Sequence, residues 1–326
     1  MTAKTSTKPK SAARSAAKPA VFIDGEAGTT GLEIRTRLAR VAGLAVRSID
    51  PARRKDPAAR LDMMREADLV VLCLPDDAAK EAVALAASLG ADAPRIVDAS
   101  TAHRVARDWV YGFAEMDKAQ ATAIAEARLV ANPGCYPTGG IALIRPLVEA
   151  GLMPADYPVT VNAVSGYSGG GRSMIEAYEA GTAPLFELYG LSLEHKHVPE
   201  LQAYSRLTGR PIFVPSVGNF RQGMLVSVPL HLDTLPGKPA AADLEAALVA
   251  RYAGAKLVKV IPASDPSAKG GRLDALALND TDLLELRVFS HAKHRQAVLV
   301  ARLDNLGKGA SGAAVQNIGL MLGVAT

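Results

Sequence analysis

The 326-residue chain holds only two cysteines, Cys73 and Cys135. Two are too few for a disulfide framework, and without a Cys-x-x-Cys pair they exclude the common cysteine-based zinc sites, so a reduced compartment is expected. No apolar run approaches the roughly 20 residues that cross a bilayer, and the start of the chain lacks the apolar segment of a secretory signal. A cytoplasmic protein without membrane partners is expected. Internal repeats are also lacking, and the first twenty residues contain no acid. Lys4, Lys8, Lys10, Arg14 and Lys18 gather there, and without them 32 bases face 33 acids. The net charge of +4 therefore belongs to the N-terminal stretch, which removes the electrostatic case for a nucleic-acid partner. Residues 1–18 are expected to form a disordered basic tail.

With 49% hydrophobic residues, the chain has material for two domains. Ala20–Asp24 reads as a short apolar strand. Gly25-Glu26-Ala27-Gly28-Thr29-Thr30-Gly31 follows at once, then Leu32, Ile34, Leu38 and Val41 at helical spacing. Strand, glycine-rich turn and helix in this order is the dinucleotide-binding arrangement, in which the turn admits a pyrophosphate and the helix end supplies oriented N–H donors. Gly25, Gly28, Thr29, Thr30 and Gly31 are the expected contacts, although one such turn alone is weak evidence. The second strand, 45–50, ends where an adenine ribose would lie. Asp50 there favours the bare 2′-hydroxyl of NAD, whereas Arg47, Ser48, Arg53 and Arg54 favour a 2′-phosphate and shift the expectation to NADP(H). Residues 68–75 form a near-continuous apolar strand of the kind buried on both faces of a parallel sheet, in which Cys73 is core, and another strand runs over 95–101. Ligands are expected at the carboxyl ends of such strands, which adds Pro75 and Ser100 to the cofactor side.

After a helix expected at 138–150 the periodicity changes to two at Val159–Val164, and a second domain begins. Further strands are expected within 212–232, 256–261 and 284–289, with a helix at 241–252. The glycines at 307–312 and the closing small-residue helix point to tight packing against backbone or cofactor, with Gly309 and Asn317 as cofactor contacts. The fold expected is α/β: a Rossmann-type doubly wound parallel sheet over residues 19–135, completed by 304–326, and a second α+β catalytic domain over 136–303.

Two segments carry chemistry. In Asn132-Pro133-Gly134-Cys135-Tyr136-Pro137-Thr138, a cysteine stands at the start of a helix beginning near Pro137. A helix N-terminus or a nearby imidazolium is expected to lower its pKa and make it a nucleophile. In His195-Lys196-His197-Val198-Pro199-Glu200, two imidazoles and a carboxylate open another helical run and supply an acid/base. His-x-His is also a metal spacing, but no further ligands cluster with it and no metal is expected. His103, His231, His291 and His294 have no comparable setting and read as structural or solvated. Arg104 and Arg172 are candidates for the anionic ends of a substrate, which suit a bidentate guanidinium. Asn132, His195 and Glu200 join them on the substrate side.

Together with Gly-x-x-Gly-Thr-Thr-Gly, Asp98-Ala99-Ser100-Thr101-Ala102-His103-Arg104 and Lys308-Gly309-Ala310-Ser311-Gly312-Ala313-Ala314-Val315-Gln316-Asn317, these segments resemble the N-acetyl-gamma-glutamyl-phosphate reductase family, in its shorter, second type. The likeness spans nearly the whole chain except the tail. It implies a glyceraldehyde-3-phosphate dehydrogenase-like architecture and NADPH-dependent reduction of N-acetyl-L-glutamyl 5-phosphate to the 5-semialdehyde in arginine biosynthesis. It also implies a thioester on Cys135; the motif carries both histidines, and the place of His197 before Pro199-Glu200 makes it the preferred acid/base, with His195 left to bind substrate. A homo-oligomer, dimer or tetramer, is expected. The competing readings are reduction of aspartyl phosphate or carrier-bound aminoadipyl phosphate, a dinucleotide-binding sensor without turnover, and a cysteine hydrolase.

Overall fold

The computed structural model describes residues 18–326; the tail expected over residues 1–18 lies almost wholly outside them. Six strands build the first sheet: β1 (Ala20–Asp24), β2 (Ala45–Arg47), β3 (Leu69–Leu72), β4 (Arg95–Asp98), β5 (Val110–Tyr111) and β6 (Leu129–Ala131), in the order β2-β1-β3-β4-β6-β5. Every pairing in it is parallel. β3 has all four residues buried, because helices cover both faces of a doubly wound sheet. The helices are α1 (Thr29–Leu38), α2 (Pro57–Glu66), α3 (Asp76–Ala87) and α4 (Gln120–Glu126). β5 is a two-residue edge strand that periodicity does not announce.

α5 (Cys135–Glu149) connects this sheet to a second one. Its first residue is Cys135, two residues earlier than the helix start expected near Pro137. Pro137 sits in the first turn, where a missing N–H costs nothing. Pro146, in contrast, lies inside the helix and cannot bond the Ala142 carbonyl. The Tyr252 hydroxyl donates to that carbonyl instead, at 3.0 Å.

The second sheet comprises β7 (Thr160–Gly166), β8 (Phe186–Leu188), β9 (Ile212–Gly218), β10 (Met224–His231), β11 (Val258–Val260), β12 (Leu284–His291) and β13 (Gln296–Leu303), ordered β11-β12-β13-β10-β7-β9-β8. The apolar stretch 212–232 is thus two strands. Sheet and helix residues share one core, in which Val226, Val228, Leu299 and Ala301 meet Ile141 and Ile144 of α5 and Leu244 and Leu248 of α8 (Ala241–Tyr252). Along β13 the residues facing α5 are buried, while on the opposite face Val298 is 39% exposed and Arg302 is covered by the segment after β11. Two short helices, α6 (Arg172–Glu179) and α7 (Val198–Tyr204), flank the site described next. The chain then returns: Ala314, Val315, Ile318 and Met321 of α9 (Gly312–Leu322) pack into the core of the first sheet. No helix among the described residues is long and apolar enough to cross a membrane.

Candidate active site

The carboxyl end of β6 runs through Asn132, Pro133 and Gly134 into the first turn of α5, placing Cys135 on the wall of a cavity of about 350 Å³. Gly134 is closely hemmed in. A Cβ there would lie 2.6 Å from Arg104 Nη1, 2.6 Å from Glu200 Oε1 and 2.8 Å from His197 Nε2. Only glycine lets these three side chains close on the backbone beside the nucleophile. His197 reaches this position from the residue just before α7, and Glu200 from its first turn.

Glu200, 1% exposed, is fully engaged. Its Oε1 accepts from Arg104 Nη1 at 2.6 Å, and its Oε2 accepts from the Tyr111 hydroxyl at 2.7 Å and from the Gly134 N–H at 3.0 Å. Arg104 also donates Nε to the Asn132 carbonyl at 3.0 Å. The pair thus grips both ends of the loop that presents Cys135, and this use leaves the Arg104 guanidinium largely committed to protein acceptors.

The thiol departs from the sequence expectation. Burial pushes Cys135 up to about 11, while Arg104 and the Tyr136 N–H pull the other way without prevailing. The expected lowering at a helix end fails because desolvation of a thiolate outweighs one dipole and one buried cation. His197 provides the complement. Burial and the neighbouring cations of Arg104 and Lys196 hold its imidazole well below its ordinary value, so it is a neutral base at physiological pH, and its Nδ1 is buried without a partner. Thiol and imidazole are thus both neutral at rest, which calls for proton transfer during attack. His195 is held down to about 4 by burial and by Lys196. Its Nδ1 accepts from the His197 N–H at 3.1 Å, and its ring meets Tyr136, Tyr189 and Phe213 edge-on or tilted.

Thr29, Thr30, Gly309, Asn132, Arg104 and both histidines line the same cavity. So does Lys196, which stands between the two expected imidazoles and forms no ion pair among the described residues. Asn132 also acts structurally, with Nδ2 donating to the Ala310 carbonyl at 3.0 Å and Oδ1 accepting from Asn317 Nδ2 at 3.1 Å. Asn317 is fully buried, turned to Asn132 and the Gly112 carbonyl, and lines neither this cavity nor the next.

A second cleft, of about 520 Å³, opens over the glycine-rich turn and is lined by Gly25, Gly28, Arg54, Lys55, Pro75 and Arg172 among others. Gly25 has φ +90°, and a Cβ there would stand 2.3 Å from the Cys73 carbonyl oxygen. The backbone therefore presses onto the end of β3 and leaves the cleft open above α1, a cradle that fits a pyrophosphate. Arg172, expected on the substrate, instead donates to the Ala27 carbonyl at 2.9 Å and stands over this turn. Gly31 serves packing, since a Cβ would lie 2.6 Å from the Gly25 oxygen. Ser100 is occupied with Asp98 at 2.8 Å, and exposed Arg53 with Asp56 at 2.9 Å. Ser48 accepts from Arg35 and donates to Glu26 at 2.9 Å. Arg35, one turn further along α1, is a basic residue that only the packing of α1 beside β2 brings to this point. Asp50 accepts from the Ala52 N–H at 2.9 Å and does not line the cleft.

Two family models match the chain: the NAD-binding domain of semialdehyde dehydrogenases over residues 22–124 and their dimerisation domain over residues 135–305. The N-acetyl-gamma-glutamyl-phosphate reductase of Brucella ovis is 59% identical over 311 residues, covering 94% of this chain and 99% of that one. The chain belongs to the N-acetyl-gamma-glutamyl-phosphate reductase family. Solved structures share the fold at low identity. Aspartate semialdehyde dehydrogenase II of Vibrio cholerae, complexed with ASA, superposes with a TM-score of 0.67 at 15% identity, covering 94% of this chain and 98% of that one. Aspartate semialdehyde dehydrogenase of Candida albicans, with NADP, gives 0.64 at 13%, again covering 94% and 98%.

Proposed function

We propose that this chain reduces N-acetyl-L-glutamyl 5-phosphate to N-acetyl-L-glutamate 5-semialdehyde, with release of phosphate and with NADPH as reductant. The observation that carries the reading is Cys135 at the first turn of α5 with His197 Nε2 closing on the adjacent Gly134, in a chain 59% identical to named reductases of this substrate.

His197 Nε2 takes the Cys135 proton as sulfur attacks the acyl carbon. The carbonyl oxygen becomes an oxyanion, and the N–H donors at hand are those of Cys135 and Tyr136, because the Gly134 N–H is bound to Glu200 and Pro137 has none. Phosphate leaves past Lys196, a cation on the wall, and the acyl group remains as a thioester on Cys135. When bound in the cleft over the glycine-rich turn, the dinucleotide supplies the hydride that reduces this acyl group. His197 returns its proton to sulfur as the aldehyde departs. His195 is the substrate-side imidazole, while Glu200 and Arg104 hold the loop.

Gly25, Gly28, Thr29, Thr30 and Gly309 hold the dinucleotide in this reading, with Pro75 at the edge of the cleft. Ser48, Arg35 and Arg54 favour a 2′-phosphate, and the commitment of Asp50 to its own turn supports NADP over NAD. A thiol nucleophile needs a reducing compartment, and both cysteines are free, which supports a cytoplasmic setting. The matched dimerisation domain supports a homo-oligomer. We assign its interface to the face of the second sheet opposite α5, where Phe186, Leu188, Phe289 and Val298 line an apolar groove of about 620 Å³.

The test is the reaction run backwards, with N-acetyl-glutamate semialdehyde, phosphate and either NADP⁺ or NAD⁺, and aspartate semialdehyde as the competing aldehyde. Dinucleotide reduction with the acetylated aldehyde and NADP⁺ supports the reading. A signal with aspartate semialdehyde alone replaces the substrate.

A further inference from the structure

Lys308 takes no part in the chemistry above, yet it is 1% exposed. Moving an ammonium out of water is costly unless it is paired and hydrogen-bonded. Here it has both a carboxylate and an amide partner. Nζ donates to Glu115 Oε2 at 2.6 Å and to Gln316 Oε1 at 2.6 Å, and Gln316 Nε2 donates to Glu115 Oε1 at 2.8 Å, which closes a ring. The ammonium also stands 5.6 Å from the centroid of Phe113.

The backbone that carries Lys308 is a π-helical turn, Gly307–Ser311, between β13 and α9. Such turns are rare and concentrate at functional sites. The residue after Lys308, Gly309, abuts the nucleophile, since a Cβ there would lie 2.9 Å from Cys135 Cβ. The next, Ala310, accepts the Asn132 amide, and both line the thiol cavity. Glu115 comes from the loop after β5 and Gln316 from α9, so three segments of the chain converge on one ammonium. A methionine of similar length would fill the same space, and replacing a buried ion pair by apolar groups is often neutral for stability. What an apolar group lacks is direction: the polar ring holds the turn in one place.

We propose that Lys308 is a positioning residue, and that the Lys308–Glu115–Gln316 ring clamps the π-helical turn against Cys135 and fixes the back wall of the thiol cavity. This rests on Cys135 being the nucleophile, so the main readout does not depend on the substrate.

The test compares wild type with Lys308→Met/Glu115→Gln, which removes the charge pair together, and with Gln316→Met, which breaks the ring while keeping the pair. Alkylation of Cys135 by iodoacetamide is followed on its peptide by mass spectrometry, beside thermal melting and steady-state kinetics. The double variant is expected to melt cooperatively, to alkylate at least about threefold faster because the turn opens locally, and to lose about tenfold in kcat with KM little changed. Gln316→Met is expected to move alkylation in the same direction by less, and it decides the matter if the double variant fails to fold. Wild-type alkylation rates in folded variants would overturn the proposal, whether or not the acyl-phosphate reading stands.

Discussion

Arg104 Nη1 donates to Glu200 Oε1 at 2.6 Å beside Gly134, and both side chains are almost fully buried. Breaking a buried pair by removing one partner strands the other charge and costs about 3–5 kcal/mol. Glu200→Gln is therefore expected to lower the denaturant midpoint clearly and to abolish most activity. Arg104→Met/Glu200→Gln is expected to regain part of the stability and none of the activity, because the Gly134 loop has lost its grip. Chemical denaturation beside the reverse assay checks both, and a wild-type midpoint for Glu200→Gln would contradict the role given to the pair.

The pH behaviour follows from a buried neutral thiol. The thiolate fraction grows with pH until the pKa is passed, and burial pushes that point up to about 11. Alkylation of Cys135 in the ligand-free protein is expected to rise steadily from pH 7 to 10, and a plateau near neutrality would show an ion-paired thiolate instead. The histidines act on stability in the opposite range. His195 at about 4 and His197 well below its ordinary value are both neutral when folded, whereas the unfolded chain takes up protons near pH 6.5. Their contribution is present above about pH 6.5 and is lost as the pH falls below it.

Cofactor choice turns on the end of β2. An acid there pairs with a ribose 2′-hydroxyl and repels a 2′-phosphate. Ser48→Asp is expected to raise KM for NADPH by about tenfold or more while leaving NADH nearly unchanged, since a like-charge contact costs more than about 1.4 kcal/mol. Steady-state kinetics with both dinucleotides checks this, and equal losses with the two would place the adenine ribose elsewhere.

Association is tested on β13. Val298 is 39% exposed on the face of the second sheet opposite α5 and makes no part of the core. Val298→Lys is expected to shift the protein toward monomer in sedimentation while leaving the monomer folded, because a lone charge in an apolar interface has no partner. An unchanged mass would move the interface to another surface.

Much of this was legible in the residues themselves. The glycine-rich turn after an apolar strand announces a dinucleotide cradle, because few residues other than glycine allow φ +90° against the Cys73 carbonyl. Cys135 and His197, both singled out by their local segments, line one cavity. Electrostatics was less legible. The raised thiol pKa depends on burial summed over the whole site, and the roles of Glu200 and Arg172 depend on partners 66 and 145 residues away. Arg35 reaches Ser48 and Lys196 lines the thiol cavity, yet nothing local distinguishes them from solvated basic residues.

The central step of the reaction is formation of a covalent acyl group at Cys135. The direct measurement is the mass of the Cys135 peptide after the protein is mixed with N-acetyl-glutamyl 5-phosphate without dinucleotide and quenched in acid. The account predicts a peptide heavier by one N-acetyl-glutamyl group, no such peptide from Cys135→Ser, and no NADPH oxidation by that variant. An unmodified wild-type peptide, together with near wild-type NADPH oxidation by Cys135→Ser, would contradict it.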